Sequence, residues 1–273
     1  MGDDCLTGRH GDFLRSAQLS HNLSPEEIDI GSTQYRRQIE PRTGPLCYPL
    51  GIKVGLGVSS ALAHHYLKSG WLTRLGRGVF MFPNDVLQEH ACLKFLSGRI
   101  PRLHVGGKTA LGWRGVRHNV PAQEPLWLWG DESAKLPPWF VQRFRASYTA
   151  RSPFTSAMPG SLGLQSLPEH PNGVLVFVPE RALIELLSEV GIHQGVEEAH
   201  NIMEGVRSLR PDVLTQLLKH CRRVKVARLC VLWAEEFNLS WANAARKAAK
   251  RHLGHGRWST RLKDGTTLIL KAR

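Results

Sequence analysis

The sequence predicts an α+β fold: a small N-terminal helical module closed by a β-ribbon, then a larger mixed α/β C-terminal domain. Three observations lead there. The stretch "GVSSALAHHYLKSGWLTRLGRGVF" (57–80) reads as a polar-faced helix running straight into a glycine-loosened ribbon. "GVLVFVPERALIELLSE" (173–189) reads as a buried strand entering a helix at a proline. Thirty-six basic residues oppose twenty-three acidic ones, a net charge of +13 over 273 residues, and such a field gathers polyanions and speeds encounter with them.

Residues 1–23 read as a polar tail. "MGDDCLTGRHGDFLRS" lacks the apolar core of a secretory signal, and no apolar run approaches the roughly 18 residues of a membrane span. The five cysteines, Cys5, Cys47, Cys92, Cys221 and Cys230, form no C-x-x-C pair, which speaks for a reducing, cytoplasmic setting and against a disulfide framework or zinc ribbon. No metal or other cofactor, and no membrane partner, is expected.

The module spans 24–84. Ser24 caps a helix whose first position is Pro25, with Glu26 and Glu27 suiting the positive end of its dipole. "PRTGP" (41–45) breaks it, and "LCYPLGIKVGLG" (46–57) is expected as a short helix. The next helix starts at an N-cap on Ser59. Val58, Leu62, Tyr66 and Leu67 then point inward, while Ser60, Ala61, His64, His65 and Lys68 share the opposite face. A short helix, a turn and a second helix form a helix-turn-helix, whose second helix enters the major groove of DNA. The small side chains at Ser60 and Ala61 let that helix approach closely. In "WLTRLGRGVFMF", Gly76 and Gly78 permit the tight reversal of a wing that carries Arg74 and Arg77 at its edge. The candidate DNA-binding residues of this winged helix-turn-helix are therefore Ser59, Ser60, Ala61, His64, His65, Lys68, Arg74 and Arg77.

Residues 85–273 form the mixed α+β domain. A helix is expected over 84–98, with Val86, Leu87, Ala91, Leu93 and Leu96 at helical spacing. "RLHVGGKTALGWRGV" turns from strand to helix, "PLWLWG" and "FRASYT" are strands, and 150–172 is irregular. Val174 to Val178 is a buried strand, and Pro179 opens the helix that follows. Helices fit 194–207, 211–221 and 224–237, then the basic "SWANAARKAAKRHL". Two strands flank Asp264-Gly265 as a hairpin. Arg222, Arg223, Lys225, Arg246, Lys247, Lys250 and Arg251 give this region a second basic surface. It suits DNA, an acidic protein partner, or simple solvation.

"GGKT" (106–109) tempts one towards a phosphate loop. The first glycine of that motif would fall at Arg102, so a nucleotide-dependent enzyme is the weak alternative. Glu180 and Glu185 lie five apart on one helix and do not converge as paired carboxylates. No G-x-S-x-G elbow appears, and no enzyme is expected.

The ordered set "GVSSALAHHYLKSGWLTRLGRGVF", "HVGGKTAL", "VPERALIELL" and "MEGVRSLRPDVLTQLLKHCRRVKVARLCVLWAE" resembles AbiEi-type antitoxins of type IV toxin–antitoxin systems, over about residues 46–238. The resemblance implies a transcriptional regulator with an N-terminal winged helix and a C-terminal antitoxin domain. It further implies promoter DNA as partner, autorepression, a nucleotidyltransferase-like toxin to counteract, and a place in phage defence. A plain winged-helix regulator without a toxin partner is the alternative. In such chains the "GGKT" element belongs to the domain junction.

Overall fold

The computed structural model describes residues 46–47, 60–118, 125–262 and 265–271. The polar tail, the helix expected from Ser24 and the cap Ser59 lie outside the described residues. The chain divides into two compact units, Met1–Gln88 and Glu89–Arg273. Among the described residues the protein is mixed α/β.

In the first unit, helix α1 (Ser60–Lys68) is followed by strands β2 (Thr73–Gly76) and β3 (Val79–Met81). Its apolar stripe explains the packing: Ala63, Leu72 and Phe80 are buried, with Tyr66, Leu67 and Phe82 packed against them. After α1 the chain reverses at Gly70, φ +76°, while the amides of Trp71 and Leu72 donate to the carbonyl of Tyr66. Only a glycine adopts that conformation cheaply. A third strand, β1 (Leu46–Cys47), pairs antiparallel with β3, Leu46 opposite Phe80. The expected helix over 46–57 is corrected at these two residues: β3 has an edge to be paired, and a ladder across the sheet outweighs local preference.

The second unit starts later than the periodicity suggests. Helix α2 spans Glu89–Ser97. The Asp85 amide donates to the Phe82 carbonyl in a turn, and Val86, expected on the apolar stripe, is 65% exposed. Then come β4 (His104–Val105), α3 (Gly107–Trp113), β5 (Trp127–Trp129), α4 (Pro138–Phe144), β6 (Ser147–Thr149), β7 (Leu164–Gln165), β8 (Val176–Phe177) and α5 (Pro179–Glu189). The sheet order is β6-β5-β4-β8-β7, parallel between β4 and β8 and between β5 and β6, antiparallel elsewhere. Helices α6 (Val196–Gly205), α7 (Pro211–Lys219), α8 (Val224–Glu236) and α9 (Ala242–Ala249) follow, and β9 (Arg257–Arg261) pairs with β10 (Thr267–Lys271) as a two-stranded ribbon.

Helix α5 is the centre of this unit. It packs against α3, α6, α7 and α8, and every residue from Glu180 to Glu189 is buried. Leu183, Ile184 and Leu187 are wholly enclosed. Each such side chain contributes about 1.5–3 kcal/mol of burial. Three polar residues of α5, Glu180, Arg181 and Glu185, have partners outside the helix that hold neighbouring segments in place. Glu180 accepts from the Arg210 backbone amide at 2.8 Å and from its guanidinium at 2.9 and 3.0 Å, fastening α7 at its first turn.

Candidate nucleic-acid interface

Helix α1 presents Ala61, His64, His65 and Lys68 to solvent. Ser60 opens the helix. The inward residues alternate with these at helical spacing, so packing Ala63, Tyr66 and Leu67 on the sheet leaves the polar face outward. Ala63, in the core, was not among the residues expected to point inward. The β2–β3 hairpin turns at Gly78, φ +67°, and carries a bulge between Arg74 and Gly76. Arg74 stands opposite Phe80 in the ladder, and both Arg74 and Arg77 are exposed. The wing-like ribbon therefore offers two guanidinium groups beside a helix whose exposed residues are small, imidazole or cationic.

The C-terminal cations divide into two kinds. Lys225 is a correction to the surface reading. Its side chain is buried, and its ammonium donates to the Ser188 and Val190 carbonyls, each at 2.8 Å. Those carbonyls end α5, where a cation complements orphan acceptors and the helix dipole. Burial first, then the Arg223 charge, push the Lys225 amine down to about 8. Arg228 is likewise buried, donating to the carbonyls of Leu253 at 2.6 Å and Leu270 at 2.7 Å. Arg222 and Arg223 donate to the Ser152 and Arg151 carbonyls, both at 3.1 Å. Arg246 is paired with Glu235. Lys247, Lys250 and Arg251 are exposed. Charge counting finds these residues, but it cannot separate a solvated cation from one that caps a helix.

The glycine turn before α3 is explained by packing. The Gly107 amide donates to the Glu185 carboxylate at 3.3 Å, and Lys108 is paired with Glu198. A Cβ on Gly106 would lie 2.2 Å from Glu185 Oε2 and 2.7 Å from Trp129 Cδ1. Glu185 thus occupies the place beside the turn where a phosphate would have to sit. Burial holds its carboxyl well above the usual carboxylate range. The neighbouring His104 is pushed down to about 3, chiefly by burial. With that imidazole uncharged at neutral pH, the 3.9 Å approach of His104 to Glu185 is not an ion pair. Glu180 is the reverse case. Burial would raise it, yet the hydrogen bonds from Arg210 bring it below the usual range.

Among the described residues, no group of three or more His, Cys, Asp or Glu side chains converges as a metal site. Cys92, Cys221 and Cys230 are free and buried. No described helix is long and apolar enough to cross a membrane.

Two family models match the sequence. Residues 54–122 match the N-terminal domain of the AbiEi antitoxin transcriptional regulators, and residues 123–269 match the model described as transcriptional regulator, AbiEi antitoxin, type IV TA system. No curated protein sequence matches the chain. Among solved structures, the RV2827C protein from Mycobacterium tuberculosis is similar, with a TM-score of 0.51 at 12% identity over 73% of this chain and 75% of that one. That likeness concerns the fold alone.

Proposed function

The chain belongs to the AbiEi antitoxin family of transcriptional regulators of type IV toxin–antitoxin systems, and from that premise we propose that it represses its own promoter through a winged helix-turn-helix and counteracts a nucleotidyltransferase-like toxin. The observation that carries the reading is the exposed face of α1 running directly into the basic β2–β3 hairpin. In this reading Ala61, His64 and His65 of that face, together with Ser60 as the sequence expects, meet base edges, and the N-cap Ser59 stays a sequence expectation. Lys68, Arg74 and Arg77 hold the phosphate backbone. The three-stranded pairing of β1, β3 and β2 supports a wing, because a ribbon anchored by a third strand projects with a fixed aim. The DNA-binding module comprises residues 24–84, and 85–273 carry the antitoxin activity.

Footprinting the purified protein on its own upstream region tests the first half. A protected, sequence-specific site is expected. Arg77→Ala should weaken binding to all duplexes alike and reduce the salt slope by about one. If Arg77→Ala leaves every duplex bound as before, the wing assignment is wrong. Protection without any rescue from the toxin would favour a plain regulator.

A further inference from the structure

The buried polar groups of the second unit are unevenly satisfied. Among the described residues, six buried side-chain nitrogen or oxygen atoms have no hydrogen-bond partner in the protein: His90 Nδ1, His104 Nε2, Trp129 Nε1, Arg181 Nε, Ser188 Oγ and Glu189 Oε1. Buried polar groups are ordinarily paired with protein or with ordered water, so such a set marks where something else can be held. Five of the six gather about α5. Three belong to the helix itself, and His104 and Trp129 both flank its Glu185. His104 and Arg181 have the Glu185 carboxyl beside them, at 3.9 and 3.8 Å. Trp129 and Glu189 instead line one cavity, between β5, the first turn of α3 and the end of α5. It offers about 10 Å³ to the centre of a water-sized molecule, the room that one such molecule needs. Its walls are fixed. Lys108 is paired with Glu198, and the Gln194 side-chain nitrogen donates to the same carboxylate at 2.7 Å. Those two side chains are committed to Glu198, so they leave the indole and Glu189 Oε1 unmet. Glu189 Oε2 is already occupied, accepting from His193 Nδ1 at 2.7 Å.

We propose that this cavity is a binding site for one water molecule, which accepts from the Trp129 indole N–H and donates to Glu189 Oε1. The two orphaned atoms dictate the guest. An indole nitrogen only donates, and a carboxylate oxygen accepts. The guest must therefore accept and donate at once, within the space of a single small molecule. Ammonium only donates and leaves the indole unmet. A metal cation meets the indole proton and the Lys108 ammonium in the same wall. A halide accepts from the indole but meets the Glu189 carboxylate. Water satisfies both atoms and adds no charge to a buried place, where an unpaired charge is costly. So placed, it ties β5 to the last residue of α5. Through Glu189 it also reaches His193, whose ring lies 5.7 Å from that of Trp127. The site is independent of the regulator reading above and stands or falls separately from it.

Crystallography and nuclear magnetic resonance on the full chain test it. In a high-resolution crystal structure a water is expected about 2.7–3.2 Å from both Trp129 Nε1 and Glu189 Oε1. In solution the Trp129 indole proton should cross-relax with water, with the sign of a molecule held longer than the protein takes to tumble. Its chemical shift should stay in place as sodium chloride or ammonium chloride is added. Glu189→Gln retains an acceptor and should keep the cross-peak. Glu189→Leu removes the acceptor and should lose it. If the leucine variant does not fold, the two wild-type measurements decide alone. An empty cavity in the electron density, or an indole proton with no cross-relaxation, overturns the site. A cross-peak that persists in a folded leucine variant overturns the bridge to Glu189. An ion in the density, or a saturable shift of that indole proton with either salt, overturns the assignment of the guest as water.

Discussion

At Lys225 a single ammonium satisfies two carbonyls that α5 leaves without intrahelical partners. Replacing it with Met keeps the stem and removes both donors. Buried acceptors without donors cost about 1–3 kcal/mol each, so Lys225→Met should destabilise the protein by about 2–4 kcal/mol in denaturant titration. A cost below about 0.5 kcal/mol would return Lys225 to the solvated surface. The pH dependence has a definite sign. The amine is held near 8 in the fold against an ordinary 10.5, so the unfolded chain binds more protons between those values. Stability contributed by this group therefore rises as pH rises through that window, and the Met variant should lose that rise. Sequence reasoning placed Lys225 with Arg222 and Arg223 because all three sit in one charged run. Residues 224 to 231 of α8 are nearly all buried, and only the packed structure shows that Lys225 lies on that inner stretch.

Elements were legible where one residue marks a boundary. Pro179 and Pro211 each stand at the first position of a helix, α5 and α7, where their missing amide costs nothing. The same signal at Pro138 opens α4, which the strand-like reading on either side concealed. The pairing of β1 with β3 and the late start of α2 depend on tertiary partners and carry no local mark. The role of Glu185 was also hidden. Helical spacing correctly separates it from Glu180, but it cannot show that α3 closes over the carboxyl. Because burial raises that carboxyl, the fold keeps its proton at a pH where the unfolded chain has released it. Stability from this group is present below the ordinary value of 4.5 and falls as pH rises above it. Glu185→Gln retains an acceptor for the Gly107 amide and has no proton to lose. Its melting temperature should gain on the wild type between pH 4 and pH 7. Parallel melting curves for the two proteins over that range would show that the carboxylate is accommodated charged.

For the whole molecule, the test concerns the division of work between its two compact units. The first has a small core around Ala63, Leu72 and Phe80, and the face left over is the proposed DNA reader. The second packs α5 against α3, α6, α7 and α8, all of them elements of the same unit. Residues 85–273 should therefore fold alone and give a cooperative melt. If the family's antitoxin activity resides there, the fragment should rescue cells from the cognate toxin while failing to repress the promoter. Charge reversal can then map the rescuing surface, and the structure says where to place it. Lys225 and Arg228 are unsuitable because reversing a buried, hydrogen-bonded cation unfolds what it supports. Lys247, Lys250 and Arg251 are exposed, where substitutions usually cost within about 0.5 kcal/mol. Rescue lost on reversing those three, with the melt unchanged, would place toxin control on that surface. Rescue kept by the triple reversal would move the activity elsewhere in the unit. A fragment that is stable in cells, faces its own toxin and still protects nothing would end the case for separable antitoxin activity, leaving repression as the means by which this chain restrains its partner.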